Sequence, residues 1–274
     1  MNEYDNSKAY FDLWRLIPDG VPIVTHSSRL FPVRRDGEPA MLKIAVSPEE
    51  KSGAELMVWW NGIGAARVLE HADEAILLER ATGPRSLIEM VGNGGDDEAS
   101  RIICKAVVGL HASRGTSLPS LIPLVHRFRS LEAMAHCEGG TFVLSAVTAR
   151  KLLSEPRDVV ALHGDIHHGN ILDFGERGWL AIDPKGLVGE RGFDYANLFC
   201  NPDKGIATSP GRLARQAAVV AEAAQMERGR LLQWIIAWAG LSAAWLIEDG
   251  EDEHVEPTLD VAEIAAAELS ATGL

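Results

Sequence analysis

The stretch 162–172, LHGDIHHGNIL, places Asp165 and Asn170 five residues apart, directly after a short apolar run that is typical of a strand. A second carboxylate, Asp183, follows the apolar run 180–182. Phosphoryl transfer from Mg-ATP needs this set of groups: one carboxylate receives the proton of the attacking hydroxyl, while an amide oxygen and a second carboxylate hold Mg²⁺ on the phosphates. We therefore predict a phosphoryl-transfer site here, with a polar turn between two strands as the alternative.

The first third of the chain supplies two further groups that such a site uses. The five-residue spacing from Asp165 to Asn170 equals that of the kinase catalytic loop, which works with a strand lysine and a helix glutamate. Lys43 lies in the third of three strand-like runs, and Glu55 lies on the helix predicted after it. A plain solvated position is the alternative for Glu55, since Glu49 and Glu50 are near competitors. The three strand-like runs are 21–24, 30–34 and 40–46.

Composition and charge exclude several classes of function. The 274 residues carry 26 Lys and Arg against 39 Asp and Glu, for a net charge of −13. This excess repels polyanions, so nucleic-acid binding is not expected. The three cysteines form no Cys-x-x-Cys pair, and the first twenty residues show no secretory pattern, which predicts a cytoplasmic protein.

The run 231–247, LLQWIIAWAGLSAAWLI, contains no charged residue. A membrane-spanning helix needs about 20 apolar residues. This run is shorter and is interrupted by Gln233, Gly240 and Ser242, so we predict a buried core helix and no membrane partner.

The character of the chain changes at Thr82-Gly83-Pro84, which is a typical linker sequence. Before it, strand patterns dominate, and after it most segments have helical spacing. We predict an α+β fold with a small β-rich N-lobe at 1–84 and a larger, mainly helical C-lobe at 85–274. The predicted helices of the C-lobe are 98–114, 121–136, 141–153, 212–227, 231–247 and 260–269.

Several common enzyme motifs are missing from the sequence. It contains no Gly-x-x-x-x-Gly-Lys-Ser/Thr loop, no Gly-x-Gly-x-x-Gly fingerprint, no Gly-x-Ser-x-Gly elbow and no His-Glu-x-x-His pair. His163, His167 and His168 suggest a metal cluster as an alternative, but on a loop their spacing does not place them on one face. We expect these histidines to hydrogen-bond the loop backbone instead.

The stretches 163–170, 178–184 and 186–190 make the chain similar to the aminoglycoside phosphotransferase family. It more closely resembles the streptomycin 6-kinase and hydroxyurea-resistance kinase branch, and the runs 58–62 and 240–245 add to the likeness. The resemblance extends from about residue 20 to 265. It implies a protein-kinase-like bilobal fold, with ATP and Mg²⁺ as cofactors bound between the lobes.

The resemblance also implies individual roles. Asp165 would be the catalytic base, with Asn170 and Asp183 as Mg²⁺ ligands. Lys43, held by Glu55, would contact the α- and β-phosphates. The nucleotide would further be held by the backbone of Glu79 and Ala81 at adenine and by the turn of His26, Ser27 and Ser28 over the phosphates. His163 and Asp194 would support the catalytic loop.

The acceptor is predicted to be a small, cationic, hydroxylated molecule such as an aminoglycoside, or hydroxyurea. Acceptor sites in the family are acidic, so the acidic run 248–253 and the adjacent tryptophan suggest Trp245, Glu248 and Asp249 as substrate residues. The alternative for Trp245 is a core tryptophan, and the alternative for the acidic run is a solvated loop.

Gly164 stands where protein kinases have Arg, which suits a small-molecule kinase. Alternative functions are a housekeeping kinase of an amino alcohol or sugar, and a non-catalytic nucleotide-binding module. A monomer or weak homodimer is expected.

Overall fold

The first third of the protein folds into a six-stranded antiparallel sheet. In the computed structural model, residues 5–25, 27–46 and 48–271 are described. The strand order is β1-β3-β4-β6-β5, and β2 pairs with β3. The strands are Ile17–Pro18 (β1), Ile23–Val24 (β2), Ser28–Arg35 (β3), Glu38–Ala45 (β4), Val68–Ala72 (β5) and Ala75–Glu79 (β6).

A helix covers each face of this sheet. Because successive strand side chains alternate between faces, Leu42 and Leu77 belong to the apolar cluster with Trp14, which follows helix α1 (Asp5–Leu13). On the other face, residues of β6 pack with helix α2 (Pro48–Trp60). Lys43 stands between Leu42 and Ile44, which both belong to the cluster with Trp14. Its side chain therefore points to the opposite face of the sheet, toward α2.

The C-terminal part is mainly helical and carries two small sheets. Strand β11 runs parallel to β7 and antiparallel to β8, while β9 and β10 form a hairpin. These strands are Ile122–Pro123 (β7), Val159–Leu162 (β8), Ile171–Asp173 (β9), Trp179–Ala181 (β10) and Leu187–Glu190 (β11). The helices are Leu87–Gly92 (α3), Asp96–His111 (α4), Arg129–Cys137 (α5), Gly140–Ser154 (α6), Gly192–Ala196 (α7), Lys204–Ala207 (α8), Arg212–Ala223 (α9), Arg228–Asp249 (α10) and Val255–Ala271 (α11).

Helix α10 forms the centre of the helical part. It is long and apolar enough to cross a membrane by composition, but 67% of its most apolar window is buried inside the protein. Trp234 and Trp238 pack edge-on against Phe193 of α7. The helix therefore serves as a core helix. Further upstream, the predicted helix 121–136 is wrong in its first part, because Ile122 and Pro123 pair with β11 before α5 begins.

The linker is fixed to the β9–β10 hairpin. The Gly83 amide donates to the Asp173 carbonyl at 2.9 Å, and Arg85 donates to both Asp173 carboxylate oxygens at 2.7 and 2.8 Å. These hydrogen bonds from Arg85 lower the pKa of Asp173 to about 2. The overall α+β architecture is confirmed, while the lobe boundary at residue 84 stays a prediction.

Candidate active site

The β9–β10 hairpin brings two of the predicted site residues together. Ile171, the first residue of β9, pairs with Ala181, the last residue of β10. Asn170 and Asp183 therefore both lie at the open end of the hairpin. The Ile182 amide donates to the Asn170 carbonyl at 2.9 Å and closes this end. Residues thirteen positions apart in sequence thus become neighbours across one hairpin.

Two amides hold the carboxylate of Asp165. Asn170 donates through Nδ2 to the Asp165 carbonyl at 2.9 Å and to its Oδ2 at 3.3 Å. Asn197 donates through Nδ2 to Asp165 Oδ1 at 3.0 Å, and Asn201 donates to Asn197 Oδ1 at 2.9 Å. Neither Asn197 nor Asn201 belongs to a motif that predicts a role in the site. Both follow α7, and only the fold brings them to the catalytic loop.

Buried Asp194 supports the start of the catalytic loop. Its two carboxylate oxygens accept the amides of His163 at 2.9 Å and Gly164 at 2.7 Å. His163 in turn accepts the Asp165 amide through Nδ1 at 3.2 Å and contacts the Ile182 carbonyl through Nε2 at 2.7 Å. Burial lowers the pKa of His163 despite the nearby carboxylates. A neutral ring with its proton on Nε2 satisfies both contacts.

The other loop histidines do not build a metal site. His167 accepts the Gly169 amide through Nδ1 at 3.1 Å, a local backbone contact like that of His163. Within the described ranges, no group of three or more His, Cys, Asp or Glu side chains is arranged to hold a metal ion. His163 and His167 therefore bond the loop backbone as expected, whereas buried His168 does not: neither of its ring nitrogens has a hydrogen-bond partner among the described residues.

Lys43 pairs with Glu50, so the predicted Lys43–Glu55 pair is wrong. Lys43 Nζ contacts Glu50 Oε2 and Asp183 Oδ1, and the Glu50 side chain is only 2% exposed. Helix α2 begins at Pro48, which places Glu50 in its first turn. Five residues further along, the helix has rotated by about 140°, and Glu55 is exposed.

Lys185 is a second lysine in the same cluster, and it was not predicted from the sequence. Its Nζ lies 3.0 Å from Glu50 Oε1 and 3.1 Å from Asp183 Oδ2. Although burial opposes both charges, the two lysines lower the pKa of Asp183, and the carboxylates raise the pKa of Lys185. Asp183 and Lys185 are therefore both ionised near neutral pH.

A cleft of about 480 Å³ opens beside this cluster. Its walls combine residues of the sheet, the segment 80–81 that follows β6, and the hairpin, and they include most of the predicted nucleotide-binding residues. Among the described residues, no hydrogen bond reaches the Ala81 amide, which leaves this donor free in the cleft. His26, the remaining residue of the predicted turn, lies outside the described ranges. The predicted residues that line the cleft are Ser27, Ser28, Lys43, Glu79, Ala81, Asn170 and Asp183.

The structure places the predicted substrate residues in contacts of their own. The Arg127 guanidinium lies 4.6 Å from the Trp245 ring centroid, and Glu248 accepts a hydrogen bond from Ser130 at 3.0 Å. Asp249 is exposed at the end of α10. No hydrogen bond or ring contact joins the three to the cleft within the described ranges. Their substrate role stays a prediction.

The donor set fits the predicted Mg²⁺. The Asn170 amide nitrogen is committed to Asp165, so its Oδ1 is the atom left to act as a ligand, next to the Asp183 carboxylate. Mg²⁺ in nucleotide sites is held by one or two protein oxygen ligands together with phosphates. These two side chains supply ligands of that number and type.

Comparison with known proteins identifies the family. Residues 13–250 match the model of the aminoglycoside/hydroxyurea antibiotic resistance kinases. The chain belongs to this family. It is 49% identical over 259 residues to streptomycin 3''-kinase from Klebsiella pneumoniae, covering 93% of this chain and 97% of that protein. It is 32% identical over 269 residues to streptomycin 6-kinase from Streptomyces griseus, covering 93% and 86%.

Solved structures show the same fold for this kinase. A thermostable mutant of aminoglycoside phosphotransferase APH(4)-Ia, in ternary complex with ADP and hygromycin B, matches with a TM-score of 0.66 at 12% identity. The match covers 95% of this chain and 97% of that one. The protein-kinase-like fold is therefore confirmed, and so are the predicted family and the assignment as a small-molecule kinase.

Proposed function

We propose that this kinase transfers the γ-phosphoryl group of Mg-ATP to a hydroxyl of streptomycin, with Asp165 as the catalytic base. The observation that carries the proposal is the convergence of Lys43, Asn170 and Asp183 on a single cleft, with Asp165 hydrogen-bonded to Asn170 beside it. A protein that only bound nucleotide would need no carboxylate held by two amides beside its metal ligands.

The proposed step balances as a displacement at phosphorus. The acceptor hydroxyl oxygen forms a bond to the γ-phosphorus, while the bond from that phosphorus to the β,γ-bridging oxygen breaks. The electron pair of the broken bond leaves with ADP, and the acceptor proton passes to Asp165. Asn170 and Asp183 would hold Mg²⁺, which neutralises charge on the phosphates, and Lys43 would contact the α- and β-phosphates.

Asn197 and Asn170 fix the direction of the Asp165 carboxylate. An acceptor hydroxyl within hydrogen-bond distance of that carboxylate is oriented for in-line attack, and such positioning supplies much of the catalysis in phosphoryl transfer. Adenine would fill the apolar cleft and bind the free Ala81 amide. Ser27 and Ser28 would lie over the phosphates.

The substrate assignment is supported by relatives and by charge. The relative with 49% identity is named a streptomycin 3''-kinase, and the one with 32% identity a streptomycin 6-kinase. A net charge of −13 favours a cationic acceptor such as streptomycin, with its guanidino groups. We propose the 3'' hydroxyl as the acceptor, a cytoplasmic location, and a monomer or weak homodimer.

An ADP-release assay with a panel of acceptors tests the proposal. Streptomycin, hydroxyurea, hygromycin B, choline and a simple sugar are each supplied with Mg-ATP, and the product is mapped by ³¹P–¹H NMR. We expect release that depends on streptomycin and a phosphate at the 3'' oxygen. ADP release only with choline or only with the sugar would overturn streptomycin as the acceptor. A phosphate on the 6 oxygen would overturn the 3'' hydroxyl as the site of transfer.

A further inference from the structure

Lys43, Glu50, Lys185 and Asp183 form a closed ring of alternating charges. Each lysine contacts both carboxylates, and each carboxylate uses one oxygen for each lysine. Lys43 alone would satisfy the pairing of a strand lysine with a helix glutamate. The second lysine therefore calls for an explanation of its own, because burying an additional ammonium group carries a desolvation cost.

The backbone around Lys185 is built to hold it in place. The Lys185 amide donates to the His163 carbonyl at 2.7 Å, which ties the segment to the catalytic loop. Gly186 has φ of +65°, and a Cβ there would lie 2.6 Å from the Ser52 backbone. The segment after Asp183 thus packs directly on α2, and Lys185 is fixed between the two carboxylates.

The position of Lys185 differs from that of Lys43. Lys43 lines the nucleotide cleft, together with Asp183, whereas Lys185 does not. On its other side, a Cβ placed on Gly164, the residue before Asp165, would lie 3.3 Å from Lys185 Cβ. Lys185 therefore contacts the proposed metal ligand Asp183 and packs beside the loop that carries the proposed base. In the proposed reaction, the transferred group must pass close to both.

Nucleotide binding would release both lysines from Asp183 together. Once the Asp183 carboxylate serves as a metal ligand, its oxygens are no longer available as close partners for two ammonium groups. The triphosphate brings about four negative charges, of which one Mg²⁺ offsets two, so the phosphates keep negative charge that attracts the lysines freed from Asp183.

We propose that Lys185 is a second phosphate-binding residue, which contacts the γ-phosphoryl group of ATP and holds Asp183 and Glu50 when no nucleotide is bound. This inference rests on the proposed function in so far as the cleft binds ATP, and not on the identity of the acceptor. Because ADP lacks the γ-phosphate, removing the Lys185 ammonium group should weaken binding of a nucleoside triphosphate much more than binding of ADP.

Calorimetry without an acceptor tests the inference. Wild type, Lys185→Met and Lys185→Arg are titrated with Mg-AMP-PNP and with Mg-ADP. In Lys185→Met we expect about tenfold weaker AMP-PNP binding and less than about threefold weaker ADP binding. We expect Lys185→Arg to recover most of the AMP-PNP affinity. Lys51→Met, an exposed lysine of α2, is the matched control and is expected to bind both nucleotides as wild type does.

Equal losses for the two nucleotides, or no loss, would overturn the γ-phosphate contact. If Lys185→Met does not fold, as judged by near-UV circular dichroism, the same ratio is measured in Glu50→Gln and in Glu50→Gln/Lys185→Met. In the double variant the Glu50 carboxylate is removed together with Lys185, so Asp183 keeps Lys43 as its partner. We expect AMP-PNP affinity, but not ADP affinity, to be lower than in Glu50→Gln alone. Failure of the streptomycin assay leaves this measurement intact, since no acceptor is present.

Discussion

Asn197 sets the orientation of the proposed base more directly than any residue outside the catalytic loop. Its amide nitrogen lies 3.0 Å from Asp165 Oδ1, and Asn201 fixes the opposite end of the same amide. A carboxylate held on both oxygens cannot rotate freely. Each Asp165 oxygen keeps a further acceptor direction, which is available to the substrate hydroxyl.

We predict that Asn197→Ala lowers kcat by about tenfold or more while KM for ATP changes little, because the loss of orientation affects the transition state rather than nucleotide binding. Steady-state ADP release with a saturating acceptor measures both constants. Asn93→Ala, at the C-terminal cap of α3, serves as a control of the same chemistry away from the site. A kcat of Asn197→Ala within twofold of wild type would contradict the prediction.

At this scale, the sequence predicted the residues that share one contiguous motif. Asp165 and Asn170 are fixed to each other by their spacing in the loop, and Asp183 by the hairpin that follows. Glu55 failed because Glu49, Glu50 and Glu55 all belong to the same predicted helix. Which of them faces Lys43 depends on how that helix packs against the sheet, which the local sequence does not determine. Asn197 and Lys185 were missed because only tertiary packing brings them to the site.

Helix α2 approaches the segment after Asp183 more closely than any side chain would allow. A Cβ placed on Gly53 would lie 2.0 Å from the Pro184 carbonyl oxygen. This contact brings the first turn of α2, and with it Glu50, to Lys43 and Lys185. The glycine thus links helix packing to the ion-pair ring.

We predict that Gly53→Ala shifts α2 away from Asp183 and lowers both the melting temperature and the affinity for Mg-ADP. The destabilisation is expected to be about 1–3 kcal/mol, as in other overpacked sites. Thermal unfolding and calorimetry measure the two effects. Gly92→Ala is the matched control, since a Cβ at Gly92 would meet nothing within 4 Å. Melting and ADP binding of Gly53→Ala equal to those of wild type would show that the contact is not restrictive.

Strand β11 and helix α10 are joined by a buried ion pair between Glu190 and Arg230. Glu190 accepts Arg230 Nε at 2.8 Å and Nη2 at 2.6 Å, and it also accepts the indole N–H of Trp234 at 2.8 Å. Burial favours the neutral acid, yet these hydrogen bonds hold the pKa of Glu190 below its ordinary value of 4.5. The pair therefore stabilises the fold only while Glu190 is ionised.

We predict that Glu190→Gln costs about 3–5 kcal/mol of unfolding free energy at pH 7, because Arg230 is left buried without its counter-charge. Since the folded-state pKa is lowered, the stabilising contribution is complete above 4.5 and is lost as the pH falls through the folded-state value. The difference in unfolding free energy between wild type and Glu190→Gln should therefore become smaller as the pH is lowered, which urea unfolding at several pH values measures. Glu132→Gln, in an exposed pair with Arg150, should cost less than about 1 kcal/mol. A Glu190→Gln difference that stays constant down to acidic pH would contradict this account.

Elements with a strong pattern were predictable, and elements set by packing were not. The alternating strands around Lys43 and the apolar helix α10 follow directly from residue order. Helix α1 was missed because its register is set by the burial of Tyr10 and Trp14 against the sheet, among polar neighbours that hide the pattern. The predicted helix over 121–136 failed at Pro123, where pairing with β11 outweighs local helical preference.

On the scale of the whole molecule, the fold makes one cleft from segments far apart in sequence. The sheet supplies Lys43, the segment after β6 supplies Ala81, and the ends of the hairpin supply Asn170 and Asp183. The change from strand to helix patterns predicted the α+β architecture, while the boundary at residue 84 stays a prediction. The acceptor site could not be predicted in the same way, because its residues share no motif. The predicted substrate residues Trp245 and Glu248 instead contact α5 and the turn before it.

The central claim is that Asp165 is the base of an ATP-dependent phosphotransferase built on this cleft. The most direct test combines streptomycin phosphorylation, followed by mass spectrometry, with Mg-ADP calorimetry of Asp165→Ala and wild type. We predict that the variant loses transfer by at least about a hundredfold while its ADP affinity stays within about threefold of wild type. Wild-type turnover in Asp165→Ala would contradict the claim.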